Sequence, residues 1–169
     1  MPNQSEACRA LIRAIEAIAP HFLIHIPDST VAPVLEHFSA HPSIASFPVA
    51  REEEAVGVAA GIQLTGKRAV LLMQDTGLGN SLTALTTFSQ AYHVPTLLIV
   101  VRRGGPGEIN AAVHHLSDGV PGILQAAGIA TFELSLAASA ELWPRTIERA
   151  FHHAQVSHRP VVVLVDLKE

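Results

Sequence analysis

AVLLMQDTGLGNS, residues 69–81, changes character between Gln74 and Asp75, and that change decides the fold. AVLLMQ (69–74) is a continuous apolar run without the polar alternation of a half-solvated strand, so it reads as a strand buried on both faces. DTGLGNS (75–81) reads as a glycine turn, with Asn80 or Ser81 placed to cap a helix from roughly Leu82 to Tyr92. A doubly buried strand that leads into a helix is the repeating unit of a parallel α/β sheet.

The flanking sequence repeats the unit. TLLIVV (96–101) and VVVLVD (161–166) are further buried strands. FLIHI (22–26), Ile44–Val49 and Ala130–Leu134 read as shorter ones. Helices are expected over Ser5–Ala19, with Ser5 as N-cap, and after Pro27-Asp28-Ser29-Thr30 to about Phe38. More follow from Arg51 to about Leu64, over the short span Ile123–Ala127 and over Ala138–Gln155. Residues 102–122, RRGGPGEINAAVHHLSDGVPG, read as a long glycine-rich excursion. The result is one domain over residues 1–169, without linker or repeat: a doubly wound, mostly parallel sheet of about six strands with helices on both faces.

Composition agrees. Hydrophobic residues make up 49% and charged residues 15%, with 5% aromatics, so small aliphatic side chains do the packing. That profile also suits a chain that hides surface against a partner. A net charge of −4 argues against general nucleic-acid binding. No apolar run is long enough to span a bilayer, and the N-terminal stretch lacks a signal-peptide pattern. A single cysteine, Cys8, cannot form an intrachain disulfide and fits a cytoplasmic location.

Right-handed crossovers bring the strand-to-helix turns to one rim, at the carboxyl ends of the strands, where ligands of open α/β sheets bind. Four segments should meet there: Pro27–Thr30, Val49–Glu52, Asp75–Asn80 and Arg102–His115. Glu52, Glu53 and Glu54 crowd the mouth of the third helix, where carboxylates meet unpaired backbone N–H groups. Glu52 differs from its neighbours, because it heads the stripe continued by Val56 and Ala59, which should face inward. A partly desolvated carboxyl group on a binding rim is a candidate acid, base or hydrogen-bonding group. Gly57, Ala60 and Gly61 form a small-residue stripe, suited to close packing within the chain or to a subunit interface. Gly77 and Gly79 either make the turn or bring backbone N–H groups to a ligand. Asn80 sits at a helix mouth that favours polar groups. Ser29 caps a helix or offers its hydroxyl to a substrate acid group. Arg102 and Arg103 hold an anion or are solvated loop charges. The ten histidines form no HExxH and no metal-ligand spacing, and His152 and His153 should be solvated. His114, in the long loop, is the one placed for function.

Taken in order, these segments resemble a known group. Glu52, Ala55, Ala59, Ala60 and Gly61 resemble the glutamate helix of thiamine diphosphate enzymes. MQDTGLGNSLTAL (73–85), IPDST (26–30), RRGGPG with His114, and RPVVVLVD are similar to segments of sulfopyruvate and phosphonopyruvate decarboxylases. The resemblance covers essentially the whole chain and implies a pyrimidine-binding domain. In such domains one glutamate hydrogen-bonds a ring nitrogen of the cofactor's aminopyrimidine, and by motif it is Glu52. The resemblance also implies cofactor contacts at Gly77, Gly79 and Asn80, substrate contacts at Ser29, Asn80 and His114, and a catalytic role for His114 beside Glu52.

The family's GDG…Asn signature for magnesium and diphosphate has no convincing counterpart; Ser117-Asp118-Gly119 lacks the first glycine. The resemblance therefore implies half an active site: the α subunit of a split decarboxylase, with a β subunit on a separate chain holding diphosphate and magnesium. Association of α subunits with one another is expected too. The implied reaction is decarboxylation of a 2-oxo acid, sulfopyruvate first and phosphonopyruvate as the alternative, active only with the partner. A thiamine-dependent lyase or synthase, and a non-catalytic module of the same fold, are the competing readings.

Overall fold

The computed structural model describes residues 4–168. Among them six strands form one parallel sheet: β1 (Phe22–His25), β2 (Ala45–Pro48), β3 (Ala69–Gln74), β4 (Thr96–Val101), β5 (Ala130–Ser135) and β6 (Pro160–Asp166), in the order β2-β1-β3-β4-β6-β5. The apolar runs occupy the centre. β4 is buried at every position and β3 at all but Gln74, whereas β2 has no buried residue. Only a strand flanked and covered on every side needs to be apolar throughout.

Six helices cover the sheet: α1 (Gln4–Ile18), α2 (Ala32–Ser39), α3 (Glu52–Leu64), α4 (Asp75–Ala84), α5 (Ala111–Ala126) and α6 (Leu142–Ser157). Side chains of the central strands alternate between two cores. Leu72, Leu97, Ile99, Val161 and Val163 face α1, α2 and α6. Leu71, Met73, Leu98, Val100 and Val162 face α3, α4 and α5. The doubly wound fold is therefore as expected, and every strand is within two residues of its predicted span.

Three expectations about helix starts need correction. Residues 75–81 are not a turn: α4 begins directly at Asp75, so Gly77 and Gly79 are helical and Asn80 and Ser81 are not caps. Ser81 is buried inside the helix and donates to the Gly77 carbonyl at 3.1 Å. Glycine costs a helix about 1 kcal/mol relative to alanine, so neighbours must favour its small size here. A π-helical segment, Leu85–Gln90, extends α4. Second, the excursion after β4 ends at Asn110, whose side chain caps α5 by accepting from the Ala112 amide at 3.1 Å. His114 consequently lies on a helix, and the expected short helix is the end of a 16-residue one that passes through Pro121. Third, Ser5 lies within α1 rather than capping it, and accepts a hydrogen bond from Arg9 Nη1 at 2.8 Å.

The chain leaves β1 toward β2 in one direction, while β3 lies on its other side. Such a reversal opens a crevice at the carboxyl ends of the two strands. Asp28, Gln74 and the start of α4 stand at that end of the sheet, with the loop after β4 next to them.

Candidate active site

The three acids at the start of α3 have separate roles. Arg51, in extended backbone, precedes the helix, and its amide donates to Glu54 Oε2 at 3.2 Å. Its guanidinium holds Glu53 Oε1 at 2.6 Å. Glu53's own backbone N–H, followed by Arg51, keeps that carboxyl below its ordinary range. Both groups behave as charges of the helix mouth. Glu52 turns toward α4 instead. It is half-buried above the inward stripe of Val56 and Ala59, and its Oε2 accepts from Asn80 Nδ2 at 3.0 Å. Oε1 has no partner among the described residues. Gly77 is what makes room, since a Cβ built on it would lie 2.3 Å from Glu52 Cγ. Gly79 serves α4–α5 packing, its Cβ position being 3.2 Å from Leu116 Cδ2.

After β1, Asp28 Oδ1 accepts from the Thr30 amide at 2.9 Å and from its hydroxyl at 2.7 Å. Asp28 thus caps the short 3₁₀ turn Ser29–Val31, and the exposed Ser29 hydroxyl is left uncommitted. His114 is half-buried in the first turn of α5, with Nε2 3.2 Å from the Glu108 carbonyl. The structure therefore brings Glu52, Gly77 and Asn80 into contact, while Ser29 and His114 belong to neighbouring parts of the same rim.

Sequence reasoning missed a buried junction beside this site. Asp75 has no exposed surface; its Oδ2 accepts from the Arg103 amide at 3.1 Å and lies within hydrogen-bonding reach of the Ser117 hydroxyl. Arg103 in turn pairs with Glu108 at 2.9 Å, a bond that keeps Arg103 firmly protonated and pulls the Glu108 carboxyl down to about 2. The available signal was a single acid directly after a doubly buried strand, where burial is hard to avoid. Elsewhere, Glu16, His37 and His41 gather between α1 and α2, a cluster the spacing did not suggest. His41 Nδ1 accepts from the amides of Ser43 and Ile44, so its proton sits on Nε2, toward Glu16. That arrangement is a hydrogen-bonded cluster rather than a set of open metal ligands. A cavity of about 500 Å³ lies against α6 and includes the exposed His152 and His153, away from the rim.

The thiamine pyrophosphate enzyme family, through its N-terminal TPP binding domain, matches residues 6–120. The chain belongs to this family. Its curated relatives include the sulfopyruvate decarboxylase subunit alpha of Methanothermobacter thermautotrophicus, 44% identical over 91 residues, which are 54% of this chain and 55% of the relative. The chain thus spans about half the length of the curated relatives of that kind. The phosphonopyruvate decarboxylase of Streptomyces viridochromogenes is 30% identical over 68% of this chain and 29% of its own length. Among solved structures, a 2-oxoglutarate:ferredoxin oxidoreductase from Magnetococcus marinus superposes with a TM-score of 0.70 over 95% of this chain and 28% of its own, at 15% identity; it shares the fold.

The residues of this TPP enzyme domain fit the family's cofactor. Glu52 keeps one carboxylate oxygen fixed by Asn80 and one without a partner among the described residues, in space that a side chain at Gly77 would fill. A half-buried carboxyl group with one oxygen committed and one available is suited to a single directed hydrogen bond to a ring nitrogen.

Proposed function

We propose that the chain is the α subunit of a thiamine diphosphate-dependent, non-oxidative decarboxylase of sulfopyruvate, yielding sulfoacetaldehyde and carbon dioxide. The observation that carries this reading is the Glu52–Asn80–Gly77 arrangement in a chain of this family. Sulfopyruvate is preferred to phosphonopyruvate because the alpha-subunit relative is more similar, 44% against 30%.

Thiamine diphosphate, when bound, supplies the electron sink into which the carboxyl carbon's bonding electrons pass. The chain's own part is positional. Glu52 holds or exchanges a proton at Oε1 with the aminopyrimidine, while Asn80 keeps its other oxygen from rotating. Gly77 contributes indirectly, by leaving the room that Glu52 occupies, and Gly79 by letting α5 pack against α4 through Leu116. Ser29 contributes its free hydroxyl to the substrate, and Asn80 and His114 add polar contacts along the same rim. A partner β subunit completes the site, holding diphosphate and magnesium, and the chain acts only with it. The relatives named as alpha subunits support that division. Association between α subunits, through the exposed Gly57 and Gly61 of α3, and a cytoplasmic location complete the reading.

The test is co-production with a partner chain carrying GDG…Asn, assayed for sulfoacetaldehyde. Glu52→Gln should still co-purify with the partner yet lose turnover, because an amide cannot exchange the proton. A fully active Glu52→Gln complex would refute the assignment.

A further inference from the structure

Beyond the Glu52 site, two arginines, Arg102 and Arg103, follow the carboxyl end of β4. Arg103 is held as a rigid fork. Its Nε and Nη2 donate to the two carboxylate oxygens of Glu108 at 2.9 and 3.4 Å, and Nη1 donates to Gln74 Oε1 at 3.1 Å. Glu108 is itself pinned, accepting from the Asn110 amide at 2.9 Å, with His114 Nε2 3.2 Å from its carbonyl oxygen. A guanidinium has five N–H groups, so two remain without a partner among the described residues. The Arg103 side chain is 20% exposed, enough for a ligand to reach them.

Arg103 also lines a cavity of about 200 Å³, together with Thr30, Arg102, Glu108 and Lys168. Its lining holds three cations and one carboxylate, already bound to Arg103; Lys168 also pairs with Asp166 at 3.5 Å, which leaves the two arginines as the cations for a ligand. Arg102 adds a buried Nε with no hydrogen-bond partner. A neighbouring cavity of about 370 Å³ shares Arg102, Arg103 and Lys168, but its walls include Asp118 and Asp166, so the smaller space is the more positive one. Thr30, in the turn after β1, lines this cavity, and Arg103 reaches from it to Gln74 at the end of β3, so Arg103 links the cavity to the crevice between those strands.

We propose that Arg103, aimed by Glu108 and Gln74 and supported by Arg102, anchors the distal sulfonate of the substrate; this rests on the decarboxylase reading above. A sulfonate stays charged at working pH and offers several acceptor oxygens. A planar guanidinium matches such a group better than a lysine does. The carboxylate of the 2-oxo acid leaves as carbon dioxide, so a fixed cation is more useful at the other end, where charge persists throughout turnover. Glu108 is a positioning residue in this scheme, keeping Arg103 extended rather than touching substrate.

The experiment compares sulfopyruvate with pyruvate, which lacks the sulfonate, in the reconstituted complex. Arg103→Gln should raise KM for sulfopyruvate roughly 10- to 100-fold, the loss expected for one charged hydrogen-bonding group, with a smaller change in kcat and none in kcat/KM for pyruvate. Arg103→Lys should recover part of the loss, and Glu108→Gln should raise the same KM less. An unchanged KM in Arg103→Gln, or an equal loss on pyruvate, overturns the proposal. If the wild-type complex decarboxylates no 2-oxo acid, the decarboxylase reading fails separately, and sulfoacetate binding to the full chain then decides. Weaker binding by Arg103→Lys than by wild type supports the anchor; equal binding, or none to wild type, overturns it.

Discussion

Gly77 and Glu52 compete for one space: a Cβ on Gly77 would lie 2.3 Å from Cγ and 2.5 Å from Oε1 of Glu52. Helix α4 omits a side chain there, and the carboxylate of α3 lies in the gap. Gly77→Ala should therefore divide stability from activity. Alanine favours a helix by about 1 kcal/mol over glycine, and the obstructed atoms belong to a flexible side chain that can swing away. The melting temperature should hold or rise, while turnover of the reconstituted complex falls at least about tenfold for want of a positioned acid. Thermal unfolding and steady-state rates on the same preparation check this. Full activity would mean that Glu52 works from some other position.

Ser117 and Asp75 form a second joint, tying α5 to the start of α4 and to the backbone after β4. Ser117→Ala leaves a fully buried carboxyl group with the Arg103 amide as its remaining donor. Unfolding in urea should show a loss of about 1–3 kcal/mol, the range for stripping a buried polar group of one partner. A change within a few tenths of a kcal/mol would show that water replaces the hydroxyl.

Acid should loosen the loop after β4 in a defined window. Glu108 has a carboxyl lowered from 4.5 to about 2 in the folded chain, chiefly by its hydrogen bond from Arg103. A lowered folded value means that the unfolded chain takes up the proton first. The contribution is thus complete above pH 4.5 and disappears as pH falls toward 2. Comparing wild type with Glu108→Gln across this range should show the wild type losing stability more steeply. Parallel curves would dissociate the Arg103 pair from acid sensitivity.

Gly57 and Gly61 of α3 have no heavy atom within 4 Å of an added Cβ, and both are exposed. These two glycines of the small stripe therefore do not serve packing within the chain, whereas its third member, Ala60, is buried. Gly57→Arg and Gly61→Arg should leave the circular dichroism spectrum of the chain unchanged and lower the mass of its assemblies in analytical ultracentrifugation. Unchanged mass would place the contact between copies elsewhere.

Much of the scaffold is readable along the chain. β3 and β4 occupy the residues expected, 69–74 and 96–101, and α3 starts at Glu52 as read. The errors share a cause. In Asp75–Ser81, aspartate, glycine, asparagine and serine each favour a turn locally, yet α4 is helical there, with Glu52 and Leu116 lying where glycine side chains would be. Likewise residues 102–122 read as one glycine-rich excursion, but α5 begins at Ala111, runs through Gly119, Pro121 and Gly122, and carries His114 with it.

By itself, the order of apolar runs determined a parallel sheet with one functional rim, because a strand covered on both faces has nowhere to place polar groups. Tertiary structure alone decided which side chains meet on that rim. Glu52 and Asn80 are 28 residues apart, and Asp75 and Ser117 are 42 apart. Such pairs depend on how closely two helices approach and which way each is turned, and neither spacing nor propensity along the chain encodes those distances directly.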